Sequence, residues 1–173
     1  MPGLPITLPH GVQPRTTLTD TNPGAGLFNE YIDSNGVQTH EPQYWIKVYN
    51  GTSGALTKGG VYMVVYDGDE ETNPKLAAPA TVAADAQVVV ATAASADATW
   101  CWVVVSGYVD ALVEGTTDVA KDDFLKATNA QIYFVKDATT KSTDSAAIAC
   151  AAQAANSAVL TKVYLIGDLV DID

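Results

Sequence analysis

Apolar and polar residues alternate with a period of two along much of residues 46–173. This period is typical of β-strands with one buried face, and turn-forming Gly, Asn and Asp separate the runs. The alternation predicts strands at 45–49, 61–66, 87–92, 100–113, 124–125, 132–135 and 159–166. Within the longest of these, Gly107 predicts a bend or a bulge. We therefore expect a mainly β fold, a compact antiparallel β-barrel or sandwich-like domain with a long extended N-terminal arm.

Two Ala-rich segments and the C-terminus give mixed signals. Half of residues 77–98 are Ala, which favours helix, whereas Pro79 and the run Val88-Val89-Val90 favour strand. We expect an irregular crossing segment with one strand there. Residues 146–155, AAIACAAQAA, look helical by propensity. In residues 168–173, Asp alternates with apolar side chains, so this tail either pairs as an edge strand or frays.

The first 45 residues have a different pattern, with six of the eight prolines. Because proline fixes φ, lacks an amide donor and favours an extended preceding residue, residues 1–26 are expected to be extended. Apolar residues recur between these prolines, and charge is nearly absent. Such a segment suits an arm that docks in a groove or sheet edge of a neighbour, and a floppy tail is the alternative. The candidate contact residues of the arm are Leu4, Ile6, Leu8 and Val12.

Residues 27–45 form a link between the arm and the strands. Leu27, Phe28, Tyr31 and Ile32 have the spacing of one helical turn, which Ser34-Asn35-Gly36 would end. The link also supplies large apolar anchors for the root of the arm, and these are Leu27, Phe28, Tyr31 and Trp45. We therefore divide the chain into an extended Pro-rich arm with its link at 1–45 and a β-rich domain at 46–173.

Charge limits the partners of this chain. Its net charge is −11, from 20 acidic and 9 basic residues, and Arg15 is its single arginine. Nucleic-acid phosphates are bound by clusters of Lys and Arg, which are absent, so no direct nucleic-acid contact is expected.

The N-terminus lacks a basic region followed by an apolar run, and no apolar stretch approaches a membrane span. We expect a soluble protein that is made in the cytoplasm, with no membrane partner.

Candidate catalytic and metal-binding residues are sparse. The two histidines, His10 and His40, lie in the extended N-terminal region, away from any nucleophile of the β domain. The acidic loop with Asp67, Asp69, Glu70 and Glu71 offers oxygen ligands for Ca²⁺ but lacks the EF-hand spacing, so a solvated loop is favoured. Asn50-Gly51-Thr52 matches a glycosylation acceptor and also a tight turn. We expect no enzyme activity, no catalytic residue, no metal and no cofactor.

Cysteine and aromatic residues have two interpretations each. Cys101 and Cys150 lie in apolar or Ala-rich runs, which favours reduced, buried side chains, although one disulfide is possible. Trp45, Trp100, Trp102 and eight tyrosines provide enough aromatic area for a sugar-binding platform. Burial in the core and at subunit interfaces is the simpler explanation, because both use large aromatic surfaces.

Four segments between residues 103 and 166 occur in a recognisable order. They are Val103–Val113, then Lys121-Asp122-Asp123-Phe124-Leu125, then the Ala-rich 149–156, then Lys162–Ile166. In this order of strands and small residues the chain resembles the small capsid-decoration proteins of tailed bacteriophages. It departs from them at Asp122-Asp123, where the family usually has Gly-Asp, and in its longer arm. The resemblance implies a bent strand at 146–155, against the helical propensity.

The resemblance also implies a function. Decoration, or cement, proteins of this kind are β-rich, commonly trimeric, and bind the outer capsid surface where shell subunits meet. We therefore expect a homotrimer on the outside of a phage head, with the major capsid protein as its partner and the arm clamping neighbouring capsid subunits. A strongly acidic surface suits this position, because the packaged nucleic acid would repel it. The alternative is a glycan- or receptor-binding β module of a head fibre or a tail appendage.

Overall fold

In the computed structural model, residues 26–32, 38–66, 72–81, 83–137 and 140–172 are described, and side chains from residue 43 onward. The described residues form strands and connecting turns, with no helix, which confirms the mainly β prediction. In chain order the strands are β1 (Gly26–Ile32), β2 (Gln38–Asn50), β3 (Val61–Val65), β4 (Lys75–Ala77), β5 (Ala86–Ala91), β6 (Trp100–Val113), β7 (Phe124–Ala127), β8 (Phe134–Lys136), β9 (Ser145–Ala149), β10 (Val159–Leu165) and β11 (Leu169–Val170).

The strand pairings close on themselves twice, and both closures use β6. The first ring runs β2-β4-β3-β5-β6 and returns to β2. It is mixed, because β2 and β4 pair in parallel and the other pairs are antiparallel. The second ring runs β6-β10-β9-β7-β8 and returns to β6 through the parallel pair of Val113 with Phe134. Closed rings leave few free strand edges, which are the usual sites of unwanted pairing.

A bend in β6 separates the two rings. Residues 100–107 pair with β2, and residues 107–113 pair with β10. The register with β2 shifts between Tyr44 and Trp45, so that Val105 is the extra residue of a bulge. Gly107 follows with a φ of 100°, a conformation that glycine adopts without steric cost. The bend predicted at Gly107 is confirmed, and it directs the two halves of β6 into different rings.

Two apolar clusters form the core. The first fills the interior of the first ring with side chains from all five of its strands, and its members are Val48, Leu56, Tyr62, Val64, Leu76, Val89, Ala91, Cys101, Val103 and Val105. The second joins the inward residues of the second ring, such as Val109, Phe134 and Val163, to the outward residues of the first ring, such as Trp45 and Trp102. The outer face of the first ring is therefore part of a continuous core and is not a solvent-facing wall.

The predicted helical turn at Leu27, Phe28, Tyr31 and Ile32 is wrong. These residues lie in β1, which pairs with β2 from Gly26 opposite Ile46 to Ile32 opposite Gln38. Backbone hydrogen bonds along this antiparallel pair replace the single turn that the local spacing favoured. β2 runs without interruption through positions 45 and 46, the sequence-based domain boundary.

The Ala-rich segment 146–155 begins as a strand, and its helical propensity is overridden. Ser145–Ala149 forms β9, which pairs with β10 on one side and with β7 on the other. Ala147 and Ala149 are fully buried members of the larger core cluster, because alternation along the strand turns them inward and Ile148 outward. At the C-terminus, Leu169 and Val170 pair with β5. The tail therefore pairs as a short strand instead of fraying.

Candidate functional site

The predicted arm residues Leu4, Ile6, Leu8 and Val12 lie outside the described residues. Leu27, Phe28 and Tyr31 lie in β1, of which the structure describes the backbone. Within the described part of the chain, β1 pairs with β2 alone, so its other edge has no strand partner there. An open strand edge is a template for adding a strand from another protein.

Trp45, the fourth predicted anchor, holds the root of this β1–β2 hairpin in the core. Its side chain is buried, and it pairs with Leu27 on β1 and with Val104 on β6. The indole Nε1 donates a hydrogen bond to Gln43 Oε1 at 3.2 Å, and the Gln43 amide donates in turn to the carbonyl of Tyr108. The hairpin root is thus attached at the bend of β6.

A row of large side chains crosses the outer face of the second ring. Cross-strand pairing joins Phe124 on β7 to Ile148 on β9, Ile148 to Tyr164 on β10, and Tyr164 to Tyr108 on β6. We call these four residues the outer row. All four are half-buried, whereas their chain neighbours Leu125, Ala147, Val163 and Val109 point inward and are buried.

The outer row lies on a face that combines aromatic, aliphatic and charged side chains. The rings of Tyr108 and Tyr164 pack edge to face with centroids 5.0 Å apart, and Lys162 Nζ lies 4.9 Å from the Tyr108 ring centroid. Asp110 pairs with Lys162 across the strands. On the same face of β10, Leu160 is 47% exposed. In a chain of net charge −11, a face of this composition suits contact with another protein.

The tryptophans do not form an exposed platform. Trp45 and Trp102 are buried in the core, as the simpler interpretation predicted. Trp100 is half-buried and packs edge to face against Tyr49 with centroids 5.7 Å apart. A sugar-binding surface made of all three indoles is therefore ruled out.

Lys47 occupies an unusual position beside these indoles. It lies on β2, pairs with Trp102 on β6 and is only 3% exposed. Its Nζ lies 5.8 Å from the centroid of the Trp100 ring. A buried ammonium group normally has an anionic or hydrogen-bonding partner. Alternation in β2 places Lys47 on the same face as Trp45 and Tyr49, a signal that is already present in the sequence.

The polar motifs serve the fold. Asn50 is fully buried, and its amide donates to the carbonyls of Gly54 and Ala96, both at 2.9 Å. Its Oδ1 accepts from the Thr52 amide at 3.1 Å, so this asparagine organises a turn and is not an open glycosylation acceptor. Among the residues that the structure describes, no group of three or more His, Cys, Asp or Glu could hold a metal ion. The acidic loop at 67–71 lies outside them.

Asp122 and Asp123 stand where the capsid-decoration proteins that the sequence resembles usually have Gly-Asp. Asp122 has a φ of 72°, the left-handed region in which glycine is usual. Asp123 accepts hydrogen bonds from Lys136 Nζ at 2.7 Å and from the Ala120 amide at 2.8 Å. The Lys136 ammonium holds the pKa of Asp123 below its ordinary value. The backbone shape typical of glycine is therefore present with an aspartate side chain.

The cysteines are free thiols in different surroundings. Cys101 is buried in the first ring, and burial raises its pKa to about 11. Cys150 is half-buried, so the prediction of reduced, buried side chains is confirmed for Cys101 and only in part for Cys150.

No helix among the described residues is long and apolar enough to span a membrane.

Comparisons with known proteins find similarity at the level of solved structures. No family model and no curated protein matches the chain. Among solved structures, the chain is similar to the head fibre gp8.5 N base of bacteriophage phi29, with 15% sequence identity and a TM-score of 0.45. The alignment covers 73% of this chain and 98% of that chain. A similarity at this level does not assign a function to the chain.

Proposed function

We propose that this chain is a structural virion protein, a decoration protein that binds the outer surface of a phage head as a homotrimer and stabilises the shell. Its arm clamps neighbouring subunits of the major capsid protein. The observation that carries the proposal is that the Pro-rich residues 1–25 directly precede β1 in the chain. Among the described residues β1 is an edge strand, and its root is fixed at the bend of β6 through Trp45 and Gln43. An arm attached to a rigid ring can transmit load between the proteins at its two ends.

The outer row supports a protein-binding role. Phe124, Ile148, Tyr164 and Tyr108 form a half-buried apolar band across four strands, next to the exposed Leu160. Tyrosine combines large apolar area with a hydroxyl group that tolerates water, and it is enriched in protein interfaces. The order of segments between residues 103 and 166, which resembles capsid-decoration proteins, favours the same role.

Avidity explains how the arms would stabilise a shell. Once the ring domains of a trimer sit on the capsid, each further arm binds at a high effective concentration. Three weak arm contacts then give a strong clamp across subunit boundaries. The apolar residues Leu4, Ile6, Leu8 and Val12 would supply the contacts of each arm.

Co-sedimentation with purified, undecorated, expanded capsids tests this proposal. We expect saturable binding of the full chain, and binding about 100-fold weaker for a chain lacking residues 1–25, because avidity is lost. A full chain with serine at positions 4, 6, 8 and 12 should behave like the truncation. The matched control, Thr16→Ser with Thr17→Ser, keeps the apolar residues and should bind like the unaltered chain.

Two outcomes would contradict the proposal in different ways. Unchanged capsid binding after removal of residues 1–25 would refute the clamp and leave the ring domain as the binding element. Absence of capsid binding by every variant would refute decoration altogether. Glycan-array binding that is lost in Tyr164→Ala would then favour the receptor-binding alternative, for which the half-buried Tyr108–Tyr164 pair is the relevant feature.

A further inference from the structure

The outer row is an aromatic band on a partly exposed face of the second ring. All four of its side chains are half-buried, and they lie on four neighbouring strands. Adjacent strands are about 4.8 Å apart, so the band is about 14 Å long. Three of the four side chains are aromatic, and the rings of Tyr108 and Tyr164 pack edge to face. A band of this size and composition fits one extended segment of another chain.

The N-terminal segment of the chain has the chemistry that an aromatic band binds. Residues 1–25 contain five prolines, and Leu4, Ile6 and Leu8 recur between them. Proline favours the extended polyproline II helix, which leaves its carbonyls free and loses little entropy on binding, and aromatic-lined surfaces recognise such segments. A tyrosine hydroxyl can donate a hydrogen bond to one of these carbonyls. At about 3.1 Å per residue, Leu4 to Leu8 would span about 12 Å, close to the length of the band.

The edge of β2 that β1 uses is taken over by β4 a few residues beyond Gly26. Gly26 pairs with Ile46, and Lys75 of β4 pairs with Tyr49. Because β6 holds the opposite edge of β2 along the same stretch, residues 1–25 cannot continue the pairing of β1 along β2. An extended segment of this length reaches about 80 Å from Gly26, which is enough to cross onto a neighbouring copy.

Charge favours this segment as the part of one copy that contacts another. Residues 1–25 contain one acidic and one basic residue, Asp20 and Arg15, so the whole net charge of −11 lies in the rest of the chain. Two acidic folded domains of this kind repel one another. A neutral, apolar segment approaches the acidic domain of another copy without this repulsion.

We propose that, in the free protein, the Pro-rich residues 1–14 of one copy bind across the outer row of a second copy. The contact is heterologous, from arm to row, so three copies close into a ring in which every arm and every row is used. The inference rests on the homotrimer of the proposed function and identifies the contact that holds it together. Because the same apolar arm residues serve this contact and the capsid clamp, each row holds an arm until a capsid subunit replaces it.

Sedimentation equilibrium of the full chain tests this contact. Tyr164→Thr keeps a strand-forming residue and removes a central ring of the outer row, and we expect self-association to weaken by about tenfold to 30-fold. Phe124→Thr removes the ring at one end of the row, and we expect a loss of about threefold to tenfold. Tyr66→Thr is the matched control, because Tyr66 is 70% exposed and lies outside the row, and it should self-associate normally.

Mixing two defective full chains separates this exchange of arms from other contacts. One chain carries Tyr164→Thr and keeps its arm. The other keeps its row and carries Leu4→Ser, Ile6→Ser, Leu8→Ser and Val12→Ser. An equimolar mixture should form one-to-one pairs at concentrations where neither chain associates alone, because one intact arm then meets one intact row. A mixture that stays monomeric at every concentration would overturn the inference.

Thermal unfolding separates a lost contact from a lost fold. At concentrations where the chain is monomeric, each row variant should still unfold cooperatively, since the replaced ring is only half-buried. If Tyr164→Thr fails to fold, Phe124→Thr decides the outcome. Unchanged self-association in the variant that folds would overturn the inference. So would a full chain that is monomeric at every concentration, which is the result expected if each arm binds the row of its own copy.

Capsid co-sedimentation of the same variants distinguishes this inference from the proposed function. A Tyr164→Thr chain that self-associates normally and binds capsids would refute the contact between arm and row and leave decoration standing. A full chain that self-associates through its arm and its row without binding capsids would refute decoration and leave the contact standing.

Discussion

At the scale of residues, identical side chains acquire different chemistry from their surroundings. Cys101 points into the closed interior of the first ring, whereas Cys150 follows β9 and remains half-buried. Burial disfavours the thiolate, the form that reacts with alkylating and disulfide reagents. Ser95 hydrogen-bonds to Cys101 and opposes the effect of burial, which is the larger of the two.

Thiol labelling of the native protein should therefore be selective. With a pKa of about 11, Cys101 is about 0.1% thiolate at pH 8 and is also shielded. We expect iodoacetamide to modify Cys150 first and Cys101 only after unfolding, as measured by peptide mass spectrometry. Cys150→Ala should leave the native protein almost unlabelled. Rapid labelling of Cys101 in folded Cys150→Ala would contradict the closed first ring.

At the scale of elements, β6 is the strand on which the architecture depends. This strand has 14 residues. Residues 100–107 belong to the first ring and residues 107–113 to the second, and the change from one ring to the other occurs at the bulge and at Gly107. The positive φ of Gly107 is costly for a residue with a Cβ atom. This strand therefore combines high β-propensity along its length with one position that requires glycine.

Replacing the glycine at the bend should destabilise the fold. Gly107→Ala is expected to lower the free energy of unfolding by about 1–2 kcal/mol, because alanine is strained at a φ of 100°. Gly54→Ala is the matched control, since an added Cβ there meets no atom within 4 Å, and its effect should stay within about 0.5 kcal/mol. Urea unfolding of both variants measures the difference. Equal stability would show that β6 does not need the positive φ.

At the scale of the whole molecule, the β1–β2 hairpin connects the arm to the rings. β2 pairs with β1, with β4 and with β6, so it cannot be removed without opening the first ring. Trp45 lies where β2 pairs with β1 on one side and with β6 on the other, and it fills part of the larger core cluster.

Two truncations distinguish the possible boundaries of the folded unit. A chain that begins at residue 26 retains β1, Trp45 and both rings, and it should unfold at nearly the same temperature as the full chain. A chain that begins at residue 46 loses β1, Trp45 and most of the part of β2 that pairs with β1, and loss of a buried tryptophan costs about 3–5 kcal/mol. Calorimetry at matched concentrations compares them. Equal stability of the two truncations would support a boundary at 45/46 and contradict a structural role for the hairpin.

Local signals were sufficient for most strands. Val61–Val65, Trp100–Val113 and Val159–Leu165 were predicted nearly in full, because β-branched and aromatic residues alternating with polar ones favour a pleated, half-buried surface. Gly107 also marked the bend locally, because glycine adopts a positive φ without steric cost. Residues 27–32 were misassigned because a few apolar residues fit a helical turn and a strand equally well, and pairing with β2 decides between them.

The β class, the position of the long bent strand and the acidic charge follow from the sequence, since each depends on neighbouring residues or on composition. Tertiary structure alone decided the closure of two rings on β6, which requires pairing between residues far apart in the chain. It also decided which faces are covered. Alternation placed Trp45 and Lys47 on one face of β2, but only the packing of the second core cluster against Trp45 buried that face.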